Sequence, residues 1–179
     1  LGADAFALDV ADAAAGATLA AHIAGRRFDV ALLVAGVYGP RSAGLQAPTP
    51  AEFDAVMHTN VFGAMQVLPP IADALAPGGT LAVMSSKMGS IGERRSSAGW
   101  LYRASKAALN SVFADVALAL AGRAVCVAFH PGWVRTDMGG AGADLDVEVS
   151  VASMRRTIAS LTAADHGRFL NHDGSPIGW

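Results

Sequence analysis

Two stretches of this chain, FDVALLVAG (residues 28–36) and RAVCVAFHP (residues 123–131), are apolar at nearly every position, without polar–apolar alternation. Strands of that composition need cover on both faces, which a parallel sheet flanked by helices supplies. A third apolar run, TLAVMS, follows the turn PGG and predicts a strand over Thr80 to Ser85. DAFALDV predicts a further short strand, Ala5 to Asp9.

Helical segments separate these runs. DAAAGATLAAHIAG is an Ala-rich helix with Asp12 near its start and Gly25 near its end. Thr49-Pro50-Ala51-Glu52 opens a long helix expected to reach Leu75 or Ala76, with Pro69 and Pro70 bending or breaking it. Trp100 to Leu120 is a second long helix, apolar or small almost all round, and Val147 to Leu161 a third. Gly39 to Pro50, KMGSIGERRSSAG and PGWVRTDMGGAGAD are loops, and GRFLNHDGSPIGW ends the chain as a short strand and turn. Strand–helix alternation of this kind implies an α/β fold, a doubly wound parallel sheet in one domain over residues 1–179.

A net charge of −2 gives no general attraction for nucleic acid or an anionic membrane, and no apolar run approaches a membrane span. The one cysteine, Cys126, cannot form an internal disulfide and is expected as a small buried hydrophobe in a reducing, cytoplasmic setting. His166 and His172 with Asp165 and Asp173 lack the compact spacing of a metal site, so a solvated turn and no metal are expected. His130 reads as structural, Glu93, Arg94 and Arg95 as a solvated loop, and Trp133 as an apolar wall for a substrate.

In such sheets a ligand lies beyond the C-terminal strand ends, here Asp9, Ala35-Gly36, Ser85-Ser86, and Pro131-Gly132 with Thr136. The helix from Trp100 adds Tyr102 and Lys106, which share one face at i,i+4 spacing. A phenol is a poor acid or base near neutral pH, and an ammonium one turn away is expected to lower its pKa. A compact ammonium suits that task, and a ribose contact, better than a guanidinium. Ser86, or Ser85 in its place, can hydrogen-bond a carbonyl beside Tyr102, and Asn60 sits inside a helix, where asparagine is unfavourable without a reason.

This constellation resembles the short-chain dehydrogenase/reductase family. YRASKAALN is similar to its Tyr-x-x-x-Lys helix, SSKMGSIG to its serine loop, and HTNVFGA to the helix bearing its asparagine. HPGWVRTDM resembles the Pro-Gly segment beside the nicotinamide, LDVAD the third strand with its adenine-binding Asp, and GRFLNHDGSPIGW the carbonyl reductase-like and C-factor-like branch. The resemblance implies a Rossmann-like fold and NAD or NADP as cofactor, NADP slightly favoured, for a reductase or dehydrogenase of a small carbonyl or alcohol. Tyr102 would donate the proton, Lys106 would lower its pKa and bond the ribose, Ser86 would hold the carbonyl oxygen, and Asn60 would order a water behind Lys106. Asp9 and Val10 would contact the adenine. Ala35 and Gly36 would let the cofactor pass, Pro131, Gly132 and Val134 would flank the nicotinamide, and Thr136 would hold its carboxamide.

The sequence departs from the family in two places. No T-G-x-x-x-G-x-G occurs, and the first strand corresponds to the third in the family's order 3-2-1-4-5-6-7. The resemblance therefore implies a missing N-terminal strand–helix–strand, a whole protein of about 230 residues, poor or no cofactor binding by the chain as given, and no neighbour for Ala5 to Asp9. Val34 stands where the family commonly has a polar residue. Helices 49–75 and 100–120 would form a homodimer or homotetramer interface. Two alternatives remain open: a dinucleotide-binding, C-factor-like signalling protein, and an inactive fragment of the reductase. An extended-branch epimerase or dehydratase ranks below them, since only about 40 residues follow Thr136.

Overall fold

The computed structural model describes residues 3–41 and 45–179, so residues 42–44 of the Gly39–Pro50 loop lie outside the described residues. Four parallel strands form one sheet in the order β1 (Phe28–Leu33), β2 (Leu75–Met84), β3 (Val125–His130), β4 (Arg168–Asn171). In β2 and β3 the apolar runs are buried on both faces, as their composition requires: Leu81, Ala82, Val83, Val127, Ala128 and Phe129 have no exposure. One face meets α3 (Gly63–Asp73) and α4 (Trp100–Ala119), packing Leu81, Val83 and Cys126 against Leu68, Leu109 and Phe113. The opposite face packs Ala82, Val127, Phe129 and Leu170 against Met154 of α5 (Val147–Ser160). Helices on both faces make this the doubly wound, Rossmann-like α/β arrangement.

β1 departs from its expected double burial. Ala31 and Leu33 pack on the core, but Val30 and Leu32, and Val34 just beyond, are 47%, 39% and 58% exposed. The reason is reach: α5 covers the sheet over β2, β3 and β4, and no described element covers this side of β1 or pairs with its outer edge. Residues 5–9, expected as a strand, form none for the same reason, since no described strand lies beside them.

α1 (Ala15–His22) is shorter than its sequence signal. The 9–12 segment before it is tied onto the next helical layer. Gln66 donates to the carbonyls of Val10 and Asp12 at 3.2 and 3.1 Å, and His58 Nε2 lies 3.0 Å from the Ala11 carbonyl oxygen.

α2 (Pro50–Met57) starts as its sequence dictates. Thr49 and Glu52 exchange a reciprocal capping box, and Pro50 occupies the first turn. The expected single helix is instead three consecutive parts: α2, a π-helical turn His58–Phe62, and α3. Pro69 and Pro70 do not break it, and α3 runs through both to Asp73. Pro70 has no N–H for the Gln66 carbonyl, and that oxygen is packed by Gly16 of α1, where an added Cβ would lie 2.5 Å from it. β2 begins at Leu75 rather than Thr80, with a register irregularity opposite Phe28 to Val30 around the Pro77-Gly78-Gly79 turn. No helix among the described residues is long and apolar enough to cross a membrane.

Candidate functional site

The C-terminal ends of β2 and β3 and the start of α4 open onto a cavity of about 910 Å³. Six of the expected site residues line it: Ser86, Tyr102, Pro131, Gly132, Val134 and Thr136. Lys106 and Asn60 are buried outside the lining, Gly36 is half-buried and Ala35 exposed, and Asp9 is exposed with its carboxylate turned back to accept the Ala11 N–H at 2.9 Å.

The two serines separate cleanly. The Ser85 hydroxyl donates to Asn110 Oδ1 at 2.5 Å, four residues beyond Lys106 on α4. Ser86 accepts the Met88 N–H at 3.1 Å and stands close enough to the Tyr102 phenol to pull its pKa down. The side chain facing Tyr102 is therefore Ser86, as strand alternation suggests.

Tyr102 and Lys106 share a face of α4, both buried, with the ammonium 5.8 Å from the phenol ring centroid. The expected lowering of the phenol pKa does not occur in the chain by itself. Burial pushes Tyr102 above its ordinary value, Ser86 pulls it down less strongly, and Tyr38 adds to the rise. Burial also brings Lys106 down to about 8, and its Nζ donates to the Met84 carbonyl at 2.9 Å.

Asn60 stands in the π-helical turn, a distortion frequent at functional sites. Its amide accepts the Val37 N–H at 2.7 Å and donates to the Val37 carbonyl at 2.8 Å and to Ser105 Oγ at 2.9 Å. Every polar atom of the side chain is thus committed to protein. Gly36 fits closely here: a Cβ would sit 3.2 Å from both Asn60 Oδ1 and Lys106 Nζ.

Other expectations resolve differently. Cys126 is buried and unpaired, its thiol pushed up to about 11 by burial. His166 is no solvated turn: its two ring nitrogens lie 2.9 Å from the carbonyl oxygens of Ala124 and Ala117, bracing α4 against β3. Trp133 lines the cavity, and so do His130, Glu93 and Arg95, which had read as structural or solvated. The sequence reading missed the Ser85–Asn110 pair and Tyr38, whose ring stacks on Tyr102. Tyr38 lies two residues past the strand-end glycine, a position that could have flagged it.

The family model described as Enoyl-(Acyl carrier protein) reductase matches residues 1–176. The chain belongs to the short-chain dehydrogenase/reductase family. Among curated relatives of this family, C-signal of Myxococcus xanthus is 36% identical over 123 residues, covering 67% of this chain and 74% of that one. Among solved structures, the carbonyl reductase Sniffer of D. melanogaster superposes with a TM-score of 0.89 at 31% identity, over 97% of this chain and 77% of that one. A carbonyl reductase from Pseudomonas aeruginosa in complex with NADP gives 0.83 at 29% identity, over 98% and 77%. The short-chain dehydrogenase/reductase resemblance stated from the motifs thus holds at the level of family and fold, including the carbonyl reductase-like and C-factor-like branch.

The chain's own geometry suits the nicotinamide half of a dinucleotide. Gly36 leaves backbone bare beside Lys106, whose ammonium has donor capacity beyond its bond to Met84. Pro131, Gly132, Val134 and Thr136 border the same cavity.

Proposed function

We propose that the protein is an NAD(P)-dependent oxidoreductase, one domain over residues 1–179, that interconverts a small carbonyl compound and its alcohol. The observation that carries this reading is the convergence of Ser86 and Tyr102 on one cavity wall with Lys106 one helical turn behind. The solved Pseudomonas relative is in complex with NADP, which favours NADP over NAD here.

The bound nicotinamide supplies or accepts the hydride. Ser86 holds the carbonyl oxygen and stabilises charge developing on it. Tyr102, buried and protonated, gives its phenolic proton to that oxygen during reduction and takes it back during oxidation. Lys106, still mostly charged near neutral pH with its pKa at about 8, would bond the ribose and stabilise the phenolate left on Tyr102. Asn60 positions Val37 and Ser105, and the second lone pair of its Oδ1 is what could hold a water behind Lys106. Ala35, Gly36, Pro131, Gly132, Val134 and Thr136 hold the nicotinamide end, while Asp9 and Val10 serve the adenine end.

The buried lone cysteine supports a cytoplasmic setting. A homodimer or homotetramer through α2, α3 and α4 is supported by exposed Phe53, Phe62, Met65 and Leu118.

The test is loss of reduced-nicotinamide absorbance with a panel of aldehydes and ketones. Tyr102→Phe is expected to lose at least about 100-fold in turnover while keeping fold and cofactor affinity. Unchanged turnover would overturn the reading. Likeness to C-signal supports a second reading, in which dinucleotide binding signals without turnover. A Tyr102→Phe protein that keeps its biological effect would favour it.

A further inference from the structure

The chain has only two tyrosines, and they stack: the Tyr38 and Tyr102 ring centroids are 4.6 Å apart with planes inclined by 23°. Offset contact at this distance is favourable beyond the area it buries, and it denies water one face of each ring. Tyr38 is held from several directions. The residue before it, Val37, is gripped through both main-chain polar atoms by Asn60. The Tyr38 hydroxyl packs so closely on Gly99, just before α4, that a Cβ there would lie 2.5 Å from it. The Arg41 guanidinium lies over the ring, 5.2 Å from its centroid.

Arg41 also reaches outward, donating to the Met138 carbonyl at 2.7 Å. Met138 belongs to the 131–146 loop that borders the cavity. That loop is itself fastened, by a bridge between Val134 and Leu145 and by an Arg135–Asp146 ion pair at 2.8 Å. Contacts therefore run without a gap from the loop through Arg41 and Tyr38 to Tyr102.

We propose that Tyr38 is a positioning residue for Tyr102, its stacked ring fixing the phenol toward Ser86 and keeping water off it, with Arg41 fastening this stack to the Met138 loop. This rests on the reading of Tyr102 as proton donor.

Two tyrosines make the test direct, because Tyr38→Phe and Tyr38→Leu each leave Tyr102 as the sole tyrosine. Both variants are labelled with 3-fluorotyrosine, whose acidified phenol titrates at milder pH, and followed by fluorine NMR, with far-UV circular dichroism reporting the fold. Tyr38→Phe keeps the stacked ring, and Tyr38→Leu removes it. The expected result is a titration midpoint at least about 0.5 pH unit lower in Tyr38→Leu, with a displaced fluorine resonance from the lost ring current. Adding Arg41→Met to Tyr38→Phe should move the midpoint the same way by a smaller amount. Coincident midpoints in folded Tyr38→Phe and Tyr38→Leu overturn the proposal. If Tyr38→Leu does not fold, an Arg41→Met, Tyr38→Phe protein with an unchanged midpoint overturns it instead. The titration needs neither cofactor nor turnover, so failure of the reductase reading leaves it readable.

Discussion

The side-chain amide of Asn60 holds both main-chain polar atoms of Val37, accepting the N–H at 2.7 Å and donating to the carbonyl at 2.8 Å. The same amide donates to Ser105, so one buried side chain joins the loop after β1 to the π-helical turn and to α4. Asn60→Ala should cost about 2–4 kcal/mol, since it leaves buried partners without a bond. Asn60→Asp should fare little better, because a carboxylate keeps the acceptor but replaces the NH2 donor with charge. Urea unfolding of both variants checks this, and a loss under about 0.5 kcal/mol would refute it.

Ser85 and Ser86 should divide stability from turnover. Ser85→Ala removes the hydrogen bond to Oδ1 of buried Asn110, whose Nδ2 has no partner among the described residues, and should cost about 1–2 kcal/mol. Ser86→Ala gives up only the bond from the Met88 N–H, should cost about 0.5–1 kcal/mol, and should lower kcat about 100-fold. Equal effects of the two substitutions on both readouts would contradict the assignment.

Gly16 sets two ordinary rules against each other. Glycine to alanine inside a helix stabilises by up to about 1 kcal/mol. Here the new Cβ would lie 2.5 Å from the Gln66 carbonyl oxygen, a backbone atom that cannot swing away. Overpacking of this kind costs about 1–3 kcal/mol, so Gly16→Ala should be destabilising. Thermal unfolding at fixed pH decides the sign.

His130 should give the fold a pH dependence on the acid side of neutrality. Burial, then Lys87 and His172, lower its pKa from 6.5 to about 4. Between those values the unfolded chain binds the proton more readily than the folded one. Stability is therefore complete above about pH 6.5 and falls as pH drops toward 4, by up to about 2–3 kcal/mol from this group. Urea midpoints between pH 7 and 4.5 should show the decline, and His130→Phe should flatten it. A His130→Phe protein with the native slope would rule this out.

The exposed apolar side chains of α3 and α4 predict self-association. Met65 and Leu118 are 53% and 77% exposed. If these helices carry the interface, Met65→Glu with Leu118→Glu should give a monomer by sedimentation velocity while the native chain sediments as a dimer or tetramer. A native chain that is monomeric at micromolar concentration ends the idea.

What the sequence determined by itself rests on local physics. Unbroken apolar runs required strands covered on both sides, and β2 and β3 are. Thr49, Pro50 and Glu52 set a helix start because capping needs only four consecutive residues. Spacing of four on a helix brought Tyr102 and Lys106 to one face.

Tertiary structure decided what depends on groups far apart along the chain. It turned Ser85 to Asn110 and left Ser86 with the phenol. It clamped Val37 with Asn60, stacked Tyr38 on Tyr102, and left one face of β1 bare where no described helix reaches. It also reversed the expected direction of the Tyr102 pKa. Charge spacing along a helix is visible in a sequence, but the depth of burial that outweighs it exists only once the layers have packed.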